Sequence, residues 1–375
     1  MEIKRVVHLI KGLGRGGAER LLVSTIRNAG PEWSWEVIYF LETRDAMVPD
    51  LEALGCKVTC LSSFGVPGMF LRLPALISIL RKRRIEVIHA HLPWSGIIAR
   101  IAGGLTGIPV VYTEHNLFHH YRGLTRLFNR LTYGLQREVI AVSEQVASAI
   151  PAQLTDTVRV TVVNNGVDLI EFNPALFNRY AFLEKAGLPP DAFVVGNVAS
   201  IRPQKRMDRW LDIAALVLPK DPRIHFLLVG GGKELEVLKQ RVHGMPGADR
   251  IHLVGLQPEP AGWLALMDVF LMTSDYEGMP VALLEAMSMR CIPVSTPAGG
   301  IPTVVTDGVN GFLYEADDRA TGAERILQLV GDASLRRQLS QAARRTVEER
   351  FGIGVMVRQL EASYRRVLSA EQVVN

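Results

Sequence analysis

Short apolar, β-branched runs alternate with longer segments of helical period along the whole chain, and this alternation limits the fold more than any other feature. In the first half the runs are Val6–Ile10, Glu36–Phe40, Val87–His89, Val110–Tyr112 and Val139–Val142. The pattern breaks near Leu188-Pro189-Pro190-Asp191 and restarts with Phe193–Val198, Phe226–Val229, His252–Val254, Val269–Met272 and Ile292–Val294. Consecutive apolar residues fit central strands buried on both faces, and strands separated by helices pair in parallel. The expectation is an α/β chain of two successive parallel-sheet domains, 1–180 and 190–350. At 375 residues and 48% hydrophobic content the chain is also too long for one ordinary core and too apolar for disorder. A final segment spaces Val355, Val357, Leu360, Tyr364, Val367 and Leu368 as a helix, about 353–369, that needs a partner surface.

Composition excludes several classes. Three cysteines, Cys56, Cys60 and Cys291, cannot build a disulfide framework, and no Cys/His cluster has zinc spacing. No apolar run approaches the length of a membrane span, and Met1–Val7 leads straight into a strand pattern rather than a signal peptide, so a cytoplasmic protein is expected. Residues 1–180 hold 20 Lys+Arg against 15 Asp+Glu, so the net charge of +4 resides in the first half. There Arg81-Lys82-Arg83-Arg84 follows the apolar stretch Met69–Leu80. That suits either a helix resting at the periphery of an anionic membrane surface or a core helix whose basic end complements its dipole. Nucleic acid is not expected as a partner, because the basic run has no interleaved aromatics.

Directly after the first strand comes Gly12-Leu13-Gly14-Arg15-Gly16-Gly17-Ala18-Glu19. Gly12, Gly14 and Gly17 spell G-x-G-x-x-G, and Glu42 near the end of the second strand occupies the place of a ribose-binding acid, so an NAD-dependent dehydrogenase is one reading. A nucleotide-sugar enzyme is another. In both, glycines let the backbone approach a diphosphate held by amides at a helix N-terminus.

The second half carries its own phosphate site. In Ser274-Asp275-Tyr276-Glu277-Gly278-Met279-Pro280-Val281, followed by an apolar helix containing Glu285, two carboxylates flank a helix start. The amides of Gly278, Met279 and Val281 beside the Pro280 turn can cradle an anion. The carboxylates suit hydroxyls, Glu285 a ribose diol and Glu277 a sugar ring, and a bare charge at Glu285 within an apolar run would otherwise be costly.

With these residues in view the chain resembles a known family. Gly16-Gly17-Ala18-Glu19, His89-Ala90-His91, Thr113-Glu114-His115-Asn116, Asn165-Gly166-Val167-Asp168, Pro203-Gln204-Lys205 and Glu277-x7-Glu285 follow one another as in the family 4 retaining glycosyltransferases of the GT-B fold. The resemblance implies two Rossmann-like domains facing across a cleft, a nucleotide-sugar donor on the second and an acceptor on the first, and a terminal helix that packs back on the first. It further implies that Glu285 binds ribose, Glu277 the transferred sugar, Lys205 the departing diphosphate, Gly16 or Gly17 the same diphosphate, and His115 the sugar and acceptor. His89 and His91, read as following a strand end, are candidate acceptor contacts. Asn165 and Asp168 are read as ordering a loop through backbone hydrogen bonds.

One departure stands out. Relatives carry an Arg five residues before the Lys, where this chain has Ser200; Arg202 is the candidate replacement for binding phosphate. No Asp-x-Asp pair occurs, so no metal or other cofactor is expected, cations and helix termini taking its place. The expected activity is transfer of a hexose-type sugar to a lipid-linked or glycan acceptor. The rivals are a nucleotide-sugar epimerase or hydrolase of the same fold, the dehydrogenase and a non-enzymatic sensor.

Overall fold

The structure, a computed structural model, describes residues 3–121 and 123–372. The chain divides into two compact units, Met1–Gly166 with Ile353–Asn375, and Val167–Gly352.

The first unit is built on seven parallel strands: β1 Lys4–Ile10, β2 Trp33–Tyr39, β3 Lys57–Cys60, β4 Val87–His91, β5 Val110–Glu114, β6 Glu138–Ala141 and β7 Arg159–Val162, in the order β3-β2-β1-β4-β5-β6-β7. Side chains alternate across this sheet. Val7, Leu9, Ile88, Ala90, Val110 and Tyr112 enter one core with residues of helices α2 (Gly65–Leu71), α3 (Leu73–Lys82) and α4 (Pro93–Thr106). Helix α5, Gly123–Thr132, packs on α4. The intervening residues, including His8, His89 and His91, face the opposite layer, where helix α1 (Gly17–Arg27) lies. The stretch Met69–Leu80, read as one helix, is two: the chain turns at Arg72, and Pro74, which cannot donate a helical hydrogen bond in a helix interior, sits in the first turn of α3.

The second unit has six parallel strands, β8 Phe193–Val198, β9 Ile224–Val229, β10 Ile251–Gly255, β11 Val269–Met272, β12 Ile292–Ser295 and β13 Phe312–Leu313, in the order β10-β9-β8-β11-β12-β13. Its core includes Trp210 edge-on against Phe226, with ring centroids 5.0 Å apart. Helix α6, Val281–Ser288, follows β11.

The terminal helix α7, Ile353–Gln372, belongs to the first unit. Its Tyr364 hydroxyl lies 2.6 Å from His89 Nδ1, and its Ser363 Oγ and Arg366 Nη2 donate to the buried Glu138 carboxylate of β6 at 2.9 and 2.5 Å. The division falls earlier than the boundary expected at 180–190. Val167 N donates to Phe351 O at 2.9 Å, and Phe172 O accepts from Ser288 Oγ and Arg344 Nη1 at 2.7 Å each, so this stretch is bonded into the second unit before its first strand begins. No helix among the described residues is long and apolar enough to cross a membrane.

Candidate active site

In an open parallel sheet, loops leaving the carboxyl ends of the strands diverge where the strand order reverses, and the opening between them is the natural place for a ligand. In the second unit the reversal lies between β8 and β11. The loops that leave these strands carry Arg202, Lys205 and Glu277.

Two tethers hold the loops together. Asp275 N donates to Gln204 O at 2.9 Å, and Thr273 Oγ1 lies 2.9 Å from both Lys205 O and Arg206 O. Lys205 Nζ then meets Glu277 Oε1 at 2.5 Å, and Ser274 Oγ donates to the same oxygen at 2.7 Å. Glu277 is only 7% exposed, so its charge needs this partner, while the ammonium keeps further donors for an anion. Arg202 is exposed at the start of the turn that carries Lys205. Gly278 and Met279 are buried and lead into α6, whose N-cap is Pro280 and whose first residue is Val281. The positive end of the helix dipole therefore lies in the Glu277 loop. Glu285, inside α6, is buried at 5% exposure.

Backbone contact, not ligand chemistry, explains two glycine groups that sequence reasoning passed over. Gly230 has φ 142°, and a Cβ there would collide with Ala199 O; one at Gly232 would collide with Ile201 O. These glycines let the loop after β9 lie against the loop that presents Lys205. Gly299, φ 58°, is pressed on the carbonyl oxygen of Glu277 in the same way. Glycines directly behind the apolar run Phe226–Val229, and five residues beyond Val294, were the available signal.

In the first unit the order reverses between β1 and β4. The glycine loop leaves β1, and Gly16 is the N-cap of α1 with no side-chain cap bond. A Cβ at Gly12 would sit 3.0 Å from Arg44 Cβ, but at Gly14 and Gly16 the fold makes no such demand: at Gly14 it meets nothing within 4 Å, and at Gly16 its nearest neighbours are atoms of the movable Glu19 carboxylate. Neither has positive φ. Glu42, the other element of the dehydrogenase reading, accepts a hydrogen bond from Ser62 Oγ at 2.8 Å. Leu92, directly after His91, is held at φ 69°, costly for a branched side chain and another feature that periodicity does not reveal.

The expectation that His89 and His91 follow a strand end is corrected. Both lie inside β4 and are buried, and His89 is committed to protein partners, Nδ1 to Tyr364 at 2.6 Å and Nε2 to Thr113 Oγ1 at 2.7 Å. His89 therefore packs the sheet rather than meeting an acceptor. His91 bridges His8 Nδ1 at 2.9 Å and His115 Nε2 at 3.3 Å. His115 follows β5 and is the least buried of the four imidazoles. A cavity of about 30 Å³ adjoins them, lined also by Thr25, Leu21 and Met356, with room for a water or two. His8 Nε2 is buried there without a protein partner. Burial pushes His8 down to about 3, His115 to about 4, and His89 and His91 well below the ordinary histidine range, so all four are neutral at pH 7. Ring nitrogens of His8, His89 and His91 lie within 4.8 Å of one another, as metal ligands would. Since both nitrogens of His89 are bonded to Tyr364 and Thr113, the group is a hydrogen-bonded one.

On the other face, Glu114 accepts from the Tyr121 hydroxyl, and burial raises its carboxyl to about 7. It anchors the loop after His115. Asp168 Oδ1 accepts from Ile170 N and Glu171 N at 3.0 and 3.2 Å, ordering its loop as a side-chain-capped turn.

Two family models match this chain in succession: Glycosyltransferase Family 4 over residues 15–171, and Glycosyl transferases group 1 over 178–346. The chain belongs to the family 4 glycosyltransferases. The UDP-Gal:alpha-D-GlcNAc-diphosphoundecaprenol alpha-1,3-galactosyltransferase of Escherichia coli is 28% identical, covering 77% of this chain and 78% of its own. The N-acetyl-alpha-D-glucosaminyl L-malate synthase of Bacillus anthracis is also 28% identical, covering 78% of each. Among solved structures, Anabaena HepE in complex with UDP-glucose superimposes with TM-score 0.83 at 21% identity, over 98% of this chain and 99% of that one. Sucrose-phosphate synthase of Thermosynechococcus elongatus gives 0.80 at 19%, over 98% and 100%. The fold of this glycosyltransferase is GT-B.

Proposed function

We propose that this glycosyltransferase is a retaining enzyme that moves a hexose-type sugar from a nucleoside-diphosphate donor to a lipid-linked or glycan acceptor in polysaccharide or glycolipid synthesis. The observation that carries the reading is Lys205 Nζ set 2.5 Å from the buried Glu277 carboxylate, at the strand-order reversal of the second unit. Uridine diphosphate is the first base to test, because the galactosyltransferase relative is named for a UDP-sugar and HepE was solved with one. The diphosphoundecaprenol in that relative's name supports the lipid-linked acceptor.

Lys205, with Arg202 on the same turn and the amide end of α6, neutralises the diphosphate. Glu285 holds the ribose and Glu277 the sugar hydroxyls. For Gly16 and Gly17 a phosphate role, and for the neutral imidazole of His115 a hydroxyl role, are what the family resemblance implies. As the bond from anomeric carbon to phosphate oxygen breaks, charge grows on the phosphate, and cations fixed beforehand lower that barrier most. The acceptor oxygen bonds on the same face, and its proton passes to the departing phosphate oxygen. No metal is needed in this scheme.

Thermal shift with UDP tests the donor site. At a hundred times its dissociation constant UDP is expected to add about 2.7 kcal/mol of stability. Lys205→Ala should lose most of that shift and cut turnover at least about a hundredfold, and EDTA should leave wild-type turnover unchanged. An unaltered Lys205→Ala enzyme or a strict Mg²⁺ requirement would contradict the reading.

A further inference from the structure

We infer that the first unit docks on an anionic lipid bilayer through the outer face of α2 and α5. This names a partner for the function proposed above and rests on that reading only for why an enzyme of this kind would meet a membrane.

Helix α5 presents Leu124, Leu127 and Leu131 at spacings of three and four, on one side of the helix, and they are 65%, 51% and 70% exposed. Phe128, on the same helix, packs with Phe70 of α2 and Trp94 of α4, all three ring centroids within 6.4 Å of one another. This contact brings α2 beside α5. Leu71 ends α2 at 81% exposure, and Phe64, its N-cap, is 96% exposed. A layer otherwise built to bury its apolar side thus leaves five large apolar residues in solvent, more than scattered exposure accounts for.

Charge selects the occupant. Residues 61–137 contain ten Lys and Arg but only two acids, Glu86 and Glu114. Glu86 pairs with Lys4 at 3.2 Å, and Glu114 is fully buried. Helices α2 to α5 carry no acid at all, whereas Arg126 and Arg130 of α5 and Arg72, Arg81 and Lys82 at and beyond the α2–α3 turn are exposed. A second copy of this face would set arginine against arginine. A nucleic acid would use the cations but leave the leucines unsatisfied. A bilayer with anionic headgroups takes both, apolar side chains at the acyl boundary and cations at the phosphates.

Flotation of the full chain with vesicles of phosphatidylglycerol and phosphatidylcholine, against phosphatidylcholine alone, tests this without donor or acceptor. Wild-type protein should float with the anionic vesicles only. Leu124→Ser/Leu127→Ser/Leu131→Ser and Arg126→Glu/Arg130→Glu should each weaken binding at least about tenfold. Leu256→Ser, at an exposed leucine of the second unit, should bind as wild type. The substituted positions are solvent-facing, and an unchanged UDP thermal shift in each variant separates lost docking from lost folding. The inference is overturned if wild type ignores anionic vesicles, if the leucine variant binds undiminished, or if the leucine variant abolishes self-association of a protein that never floats. Failure of the UDP shift alone would sink the donor reading and leave docking intact.

Discussion

At the residue scale, the glycines divide by what requires them. Gly299 has positive φ and no room for a Cβ against the Glu277 carbonyl, so Gly299→Ala should cost about 3 kcal/mol or more in urea denaturation and weaken UDP binding through the displaced Glu277 loop. Gly14 is the contrast: open space and negative φ predict that Gly14→Ala stays within about 0.5 kcal/mol of wild type. A large loss at Gly14 would mean that the fold, not a ligand, requires the loop. Sequence reasoning reached Gly16, Gly17 and Glu277 because each stands in a turn directly behind a strand run, and Lys205 through the resemblance to the family. It missed Gly299, Gly230 and Gly232 because their constraint is a backbone atom from another loop, invisible without the fold.

At the element scale, helix α7 shows periodicity separated from partnership. Its apolar spacing was legible, but its polar anchors were not, since Glu138 and His89 lie more than two hundred residues upstream. Glu138 is 1% exposed and, among the described residues, its salt-bridge cation is Arg366, itself 36% exposed. Arg366→Ala should therefore cost about 2 kcal/mol, somewhat less than for a fully buried pair, and Glu138→Gln in the same chain should recover part of it, both read from urea midpoints. No loss in the single variant would show that solvent already screens the pair. The basic stretch Met69–Arg84 was read as one membrane-facing or core-facing helix. Folding splits it at Arg72 and turns Met69, Leu76 and Leu80 inward, so the exposed apolar stripe passes to α5, whose leucines the sequence did not mark out.

At the scale of the whole molecule, the two units should differ in acid tolerance. His8, His89 and His91 are buried and neutral, with folded-state affinities for protons far below that of an unfolded histidine near 6.5. Below that pH the unfolded chain binds more protons than the native one, so stability is fully present above about 6.5 and falls as pH drops toward the lowered values, by about 1.4 kcal/mol per pH unit for each histidine. His115, lowered to about 4, adds in the same sense, while Glu114, raised to about 7, acts in the opposite one and offsets one of the four. Acidification from pH 7 to 5 should thus unfold the first unit before the second, whose buried His225 and half-buried His252 are lowered less strongly. Two separated transitions by calorimetry, and one fewer proton taken up on unfolding of His8→Asn, are the expected results; a single pH-independent transition would refute the account. The alternation of strands and helices, the two sheets and the glycine loop were determined by the sequence itself, because periodicity and turn chemistry are properties of neighbouring residues, whereas the meeting of Lys205 with Glu277, 72 residues apart, was not. Only tertiary structure decided that the units divide at Gly166, that His89 bonds Tyr364 instead of facing a ligand, and which apolar face stays in solvent, because each depends on which distant segments meet and on what their contact takes out of water.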